Sequence, residues 1–432
     1  MTSRRKNGHP MTARRHALEL LSEVSSGHAY CNLKLNELRP VLSDTDFRFV
    51  SALVYTALDR LMYLDHILSG YVKRSPKPAV RNILRLGAAE LLFLRTPSHA
   101  VVSEYVSLCR EIDKPELCGF VNAVLRKLDR ERENLPPVPG DPVKRLSVQY
   151  SCPAWIVDMW IRSYGAETAA ALLQADSPGT VVRAQYPATK EDLIEALPVD
   201  AAAGVRDPEA LILDSGFDFN RFPPFRDGTM TVQSEGAMLI CRSAGDCRGK
   251  KILDACAAPG GKSAYLASLS ENTAELTCFE LHRHRAELTK KTFERLHVSA
   301  EVLQKDASVF DAEYESRFDI VLLDVPCTGL GLLHTKPDLR YAKTPEDLQS
   351  LTRIQASILD ACSRYVRLGG LLIYATCTLS PEENEMQVLS FLKRNAGFTP
   401  DPLPFAKGSM FQLFPHLHGT DGFFMARMKR CD

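Results

Sequence analysis

None of the 12 cysteines stands in a C-x-x-C pair, so the usual signature of a zinc site is missing and no metal is expected. No apolar run approaches the roughly 20 residues that a bilayer-spanning helix needs. The basic opening MTSRRKNGHPMTARRH is not followed by the apolar segment of a signal peptide. The expected location is therefore the cytoplasm, whose reducing conditions argue against a disulfide framework and for free thiols. An excess of either charge is missing too: 53 Lys and Arg balance 53 Asp and Glu, a net charge of +0. Any nucleic-acid binding must then rest on local basic patches. One candidate is the first stretch of the chain, where Arg4, Arg5, Lys6, Arg14 and Arg15 precede any acid; a solvated tail is the plain alternative. Internal repeats and long low-complexity tracts are absent as well.

What is present is a folded chain of 432 residues, 45% hydrophobic and 25% charged, with room for two or three domains. From Ala13 to Arg132 apolar residues recur at helical spacing, as in ALELLSEV, VRNILRLGAAELLFL and GFVNAVLRKLDRE. This predicts an all-helical domain over 1–135. ENLPPVPGDP, from Glu133 to Pro142, cannot continue a helix and reads as a linker. Short apolar stretches broken by Pro and Gly follow over 143–232, predicting a small α/β domain. From 233 to 432 the strands KKILDACAAPGG, AELTCFEL, FDIVLLDVPC and GGLLIYATC alternate with helix-length segments. That alternation predicts an α/β domain with a doubly wound, mainly parallel sheet.

Such sheets bind ligands outside the carboxyl ends of their strands. In LDACAAPGGKSAYLASL, a glycine turn joins a strand to a helix, and Pro259, Gly260 and Gly261 allow backbone to approach a ligand near a helix N-terminus. A Walker loop ending in Gly261, Lys262 and Ser263 would need glycine where Cys256 stands, and the G-x-G-x-x-G spacing is missing. An adenosyl site remains, with Glu280 at the next strand end about twenty residues on, where an acid binds ribose hydroxyls. Asp306, after the third strand, either accepts a hydrogen bond from an adenine amino group or caps the next helix.

The fourth strand leads into Asp324, then into a glycine-rich loop carrying Cys327; LLIYATCTLSPEENE breaks off at Cys377. A cysteine is ordinarily a small core hydrophobe. Two thiols at neighbouring strand ends beside an acid suit a different task. C5 of cytosine is a poor nucleophile until a thiolate adds at C6, an acid near N3 offsets the negative charge this creates, and a base must later remove the C5 proton.

The ordered set DACAAPGGKS, LLDVPCTGLG with KPDLRY, YATCTLSPEENE and DGFFMARMKR closely resembles the Nol1/Nop2/Sun family of RNA cytosine-5 methyltransferases. ARRHALELLSEV, LRLGAAELLFL and GFVNAVLRKL resemble the NusB antitermination factor, and this fusion resembles the bacterial members that act on 16S ribosomal RNA. The resemblance implies a Rossmann-like fold, S-adenosylmethionine as cofactor, 16S rRNA as partner, a NusB-like RNA-binding domain and a monomer. It implies that Cys256, Ala257, Ala258, Pro259, Gly260, Gly261 and Lys262 form the cofactor loop, that Glu280 holds the ribose, that Asp306 meets the adenine, and that Asp324 lies between the methionine moiety and the base. Cys377 in the Thr-Cys motif is then the nucleophile, and Cys327 in the Pro-Cys motif assists proton removal or product release. DNA cytosine methyltransferases use the Pro-Cys thiol as nucleophile instead, so the chemistry alone permits either order. The segment HTKPDLRY departs from the Arg-rich, Trp-ended form common in relatives; Lys336 and Arg340 are its candidate cationic contacts. The alternative reading of the chain is a NusB-like RNA-binding module with a silent methyltransferase scaffold, which predicts a damaged pocket.

Overall fold

The computed structural model describes residues 11–25, 30–74 and 76–431; Arg4, Arg5 and Lys6 of the basic opening lie outside them. The chain divides into two compact units, 1–174 together with 336–342, and 175–335 together with 343–432.

The first unit is helical. Its helix Pro78–Phe93 is buried on nearly every side, with Ile83, Leu84, Leu86, Ala88 and Ala89 at most 1% exposed. Each large apolar side chain buried this way contributes about 1.5–3 kcal/mol. Gly87 is what lets the helix Cys118–Arg130 approach, since a Cβ there would sit 2.9 Å from the Leu125 methyls. Glu90 is fully buried, and its carboxylate is satisfied by Arg14 at 2.6 and 3.0 Å and by the Tyr105 hydroxyl at 2.9 Å. Arg14, expected among the basic contacts of the opening stretch, is thus engaged in the fold, because a buried carboxylate needs a charged partner. Arg15 pairs with Glu19 one turn on.

The helices Pro142–Gln149, Ala154–Tyr164 and Ala166–Gln174 pack within this same unit. The segment Lys336–Ala342 belongs to it as well. Asp338 accepts the Cys31 backbone N–H at 3.2 Å. Arg340, 5% exposed, donates to the Tyr150 carbonyl at 3.1 Å and pairs with Asp59 at 3.4 Å. The Tyr341 hydroxyl donates to the Leu58 and Ser151 carbonyls, both at 2.8 Å. The expectation that Arg340 offers a cationic contact to a partner is therefore corrected: its guanidinium ties the chain within this unit. Lys336 remains exposed.

The second unit opens with a four-stranded antiparallel sheet, β1 (Val181–Ala184), β2 (Ala201–Ala203), β3 (Leu211–Leu213) and β4 (Met230–Val232), in the order β2-β3-β1-β4. Its main sheet holds β5 (Lys251–Asp254), β6 (Glu275–Glu280), β7 (Ala300–Gln304), β8 (Phe318–Asp324), β9 (Val366–Thr376), β10 (Phe398–Pro400), β11 (Met410–Leu413) and β12 (Phe423–Arg430). The order is β10-β12-β9-β8-β5-β6-β7, with β11 beside β12. Strands β5 to β9 run parallel, and β12 and β10 add antiparallel pairs at one side.

The continuous apolar run of β8 follows from burial on both faces. Ile320 and Leu322 enter one core while Val321 and Leu323 enter the other, and in β9 Ile373 and Ala375 oppose Leu372 and Tyr374 in the same way. The chain leaves β5 for β6 and β7 on one side and returns to β8 on the other, so the direction of winding reverses between β5 and β8. That reversal opens a crevice at the carboxyl ends of those two strands. Among the described residues no helix is long and apolar enough to cross a membrane, and no group of three or more His, Cys, Asp or Glu side chains is arranged to hold a metal ion.

Candidate active site

The glycine turn leaves β5 at Asp254 and enters the helix Gly261–Leu269. Gly260 sits in the left-handed region at φ +101°, and a Cβ there would meet the Phe293 ring at 2.9 Å. Its glycine is thus required by its own backbone and by packing. Nothing lies within 4 Å of a Cβ placed on Gly261, so of the two glycines in the turn this one faces open space. Asp254 anchors the turn from beneath: it is 1% exposed, accepts the Ser263 hydroxyl at 2.6 Å, and burial pushes its carboxyl up to about 6.

Glu280 ends β6 and is 4% exposed. It accepts the His282 N–H at 2.9 Å and lies 3.6 Å from the Arg285 guanidinium. Asp306, two residues past β7, is exposed, and its Oδ1 accepts both the N–H and the hydroxyl of Ser308. These bonds close a local turn; the next helix, Ala312–Tyr314, is capped by Asp311 instead, so Asp306 does not cap it.

Asp324 ends β8 opposite Ala375 of β9. Two residues beyond that partner stands Cys377, and three beyond Asp324 stands Cys327. The two sulfurs lie 3.3 Å apart. The hydrogen bond to Cys377, burial and the nearby Glu383 carboxylate all push the Cys327 thiol well above its ordinary range. The loop holding Cys327 is stitched to the Cys377 segment by Gly331, whose N–H donates to the Cys377 carbonyl at 3.0 Å and whose carbonyl accepts the Gly422 N–H at 2.8 Å. A Cβ on Gly331 would fall 1.9 Å from the Gly422 oxygen; only glycine permits this approach.

Lys262, expected in the cofactor loop, directs its ammonium to Asp324 at 2.6 Å, with both side chains largely covered. Burial alone would lower its pKa, but the Asp324 carboxylate outweighs this and raises it, so the ammonium stays charged. The expected residues thus gather at the ends of β5, β6, β7, β8 and β9. Reading the sequence missed Asp254, Glu383, Thr328, Thr378 and Gln355. The acid in SPEENE was visible beside Cys377, but only the fold shows that it turns inward.

A parallel sheet reversing between β5 and β8, with a glycine turn, acids at successive strand ends and a helical unit ahead, has the fold of the S-adenosylmethionine-dependent methyltransferases preceded by a NusB-type domain. The model of the 16S rRNA methyltransferase RsmB/F family matches residues 246–429, and that of the NusB family matches residues 11–130. The "Probable ribosomal RNA small subunit methyltransferase B" of Bacillus subtilis (strain 168) is 32% identical over 443 residues, covering 96% of this chain and 98% of that protein. The crystal structure of PH0851 shares the fold at a TM-score of 0.83 and 22% identity, covering 98% of this chain and 100% of that one. That of NSun6 from Pyrococcus horikoshii with SFG does so at a TM-score of 0.57 and 20% identity, covering 65% of this chain and 98% of that one. The chain belongs to the 16S rRNA methyltransferase RsmB/F family and is a methyltransferase.

Proposed function

We propose that the protein transfers a methyl group from S-adenosylmethionine to C5 of a cytosine in 16S ribosomal RNA through a covalent bond between Cys377 and C6. The observation that carries this reading is the pair of sulfurs 3.3 Å apart, next to the Asp324–Lys262 ion pair at the adjoining strand end. A silent scaffold has no use for two thiols held together at the ligand-binding end of a sheet. The names of the relatives point to small-subunit rRNA.

The residues fit the cofactor. Open space at Gly261, the nearby helix N-terminus and the acids Glu280 and Asp306 at the next two strand ends suit an adenosyl group. Cys256, Ala257, Ala258, Pro259, Gly260, Gly261 and Lys262 form the turn against which it would rest. A structural relative was solved with SFG, an S-adenosylmethionine analogue. When bound, the cofactor supplies an electrophilic methyl group.

The protein's own part is nucleophile, acid and release. The Cys377 thiolate adds to C6, and the displaced electron pair is met at N3 by a proton from the Asp324–Lys262 pair, leaving C5 electron-rich. After methylation the C5 proton passes to the Cys327 sulfur, which gives up its own proton to solvent; the C5–H electrons form the C5=C6 bond as the C6–S electrons return to Cys377, and N3 hands its proton back to the Asp324–Lys262 pair. The base must be unstacked to reach the sulfurs. Incubating the purified protein with methyl-labelled S-adenosylmethionine and 16S rRNA should label 5-methylcytosine. Label on another atom, or none, contradicts the proposal.

A further inference from the structure

Six residues past Cys377, Glu383 is fully buried, and no cation among the described residues forms an ion pair with it. A buried carboxylate without a cation is costly and needs a reason. Its contacts supply one. Oε1 accepts the backbone N–H of Thr328 at 2.8 Å and the Gln355 amide at 3.0 Å; Oε2 accepts the Thr328 hydroxyl at 2.5 Å. The Thr328 and Thr378 hydroxyls are in turn 2.7 Å apart. Thr328 immediately follows Cys327, and Thr378 immediately follows Cys377. Gln355 also donates to the Pro326 carbonyl at 2.9 Å, just before Cys327.

The Glu383 backbone is held from the strand side. The Tyr374 hydroxyl donates to the Glu383 carbonyl at 2.6 Å, and the next residue, Asn384, accepts the Thr376 hydroxyl at 2.5 Å while donating to the Thr378 carbonyl at 3.0 Å. One side chain, fixed to the end of β9, thus grips the residues that follow both thiols. Burial raises the Glu383 pKa, while the hydrogen bonds from Thr328, Gln355 and Thr378 oppose the rise. Fixed donors stand in here for the missing cation.

We propose that Glu383 is a positioning residue of the two-thiol site. Through Thr328 and Thr378 it sets the separation of the Cys327 and Cys377 sulfurs, and so controls resolution of the covalent adduct rather than cofactor binding. The inference rests on the two-thiol mechanism proposed above. Thiol separation matters most in the step that uses both sulfurs. Attack needs Cys377 alone, whereas release needs Cys327 within reach of the C6–S bond; sub-ångström misplacement of reacting groups is costly.

The test compares Glu383→Ala, Glu383→Gln and Thr328→Val in the full-length protein. Methyl transfer to 16S rRNA, the S-adenosylmethionine dissociation constant, and the fraction of protein left covalently on RNA are read together. Glu383→Ala should lower kcat at least tenfold, leave cofactor affinity within twofold and increase the persistent adduct. Glu383→Gln keeps an acceptor for the Thr328 N–H and should recover most of the loss. Thr328→Val, which removes the hydroxyl link while keeping the fold's shape, should lie between, so the inference stays testable if the alanine variant does not fold. Wild-type turnover in Thr328→Val, or an equal loss of cofactor affinity and kcat without added adduct, overturns the positioning role. Absence of any C5 methylation or adduct in the unsubstituted protein would instead overturn the underlying mechanism.

Discussion

The Lys262 ammonium lies 2.6 Å from the Asp324 carboxylate, joining the first turn after β5 to the end of β8 across the crevice between them. A side chain assigned by its motif to cofactor binding therefore reaches the acid assigned to the base. Asp324→Asn should reduce single-turnover methyl transfer at saturating S-adenosylmethionine by about 10²–10⁴-fold, the usual scale for a positioned acid. Lys262→Met should also lower it, by leaving a largely covered carboxylate without its cation. Transfer at the wild-type rate in either variant removes the pair from the chemistry.

Glu280→Ala should weaken S-adenosylmethionine binding by about 1.5–3 kcal/mol, the contribution of hydrogen bonds to a charged group. Calorimetry reads this directly. Unchanged affinity would mean that Glu280 serves only the His282 N–H and Arg285.

Asp254 gives a pH signature. Its carboxyl is held at about 6 in the fold against an ordinary 3.8, so the native state holds this proton more tightly than the unfolded chain. Its favourable contribution is complete below about pH 4 and is lost as pH rises through about 6. Asp254→Asn should flatten stability against pH within that window relative to the unsubstituted protein. Urea midpoints measured across it that run parallel for the two proteins would contradict the assignment.

Gly331→Ala should be far more disruptive than Gly261→Ala, because the first Cβ meets the Gly422 oxygen at 1.9 Å and the second meets nothing within 4 Å. Overpacking of this kind typically costs about 1–3 kcal/mol, and here the strain falls on the loop that carries Cys327. Thermal melts should show a clear drop for Gly331→Ala. Gly261→Ala should melt normally and lose cofactor affinity, since its methyl enters the space left for the ligand. The reverse pattern would show that Gly261 is a packing glycine.

The catalytic sheet was legible because its strands are buried on both faces: FDIVLLD and LLIYATC leave no doubt about where strands end, and the thiols stand at those ends. The neighbouring placement of β8 and β9 followed from the same pattern. Position along the chain said less about what each side chain faces. Arg14 and Arg340 look like free cations in sequence, yet both are bound within the helical unit, to Glu90 and Asp59. Pro142–Gln174 packs with the helical unit, although the Pro- and Gly-rich stretch before it reads as a boundary. Glu383 was hidden for a similar reason: in SPEENE it is one of three acids, and only the turn after β9 buries that one against Thr328, beside Cys327.

The order of action of the two thiols is the central claim, and denaturing electrophoresis of protein incubated with RNA and S-adenosylmethionine tests it most directly. Cys377→Ala should abolish both methylation and adduct while cofactor binding persists. Cys327→Ala should allow attack and methyl transfer but leave protein attached to RNA as a slowly migrating band. A persistent band in Cys377→Ala with none in Cys327→Ala would contradict the account and make Cys327 the nucleophile.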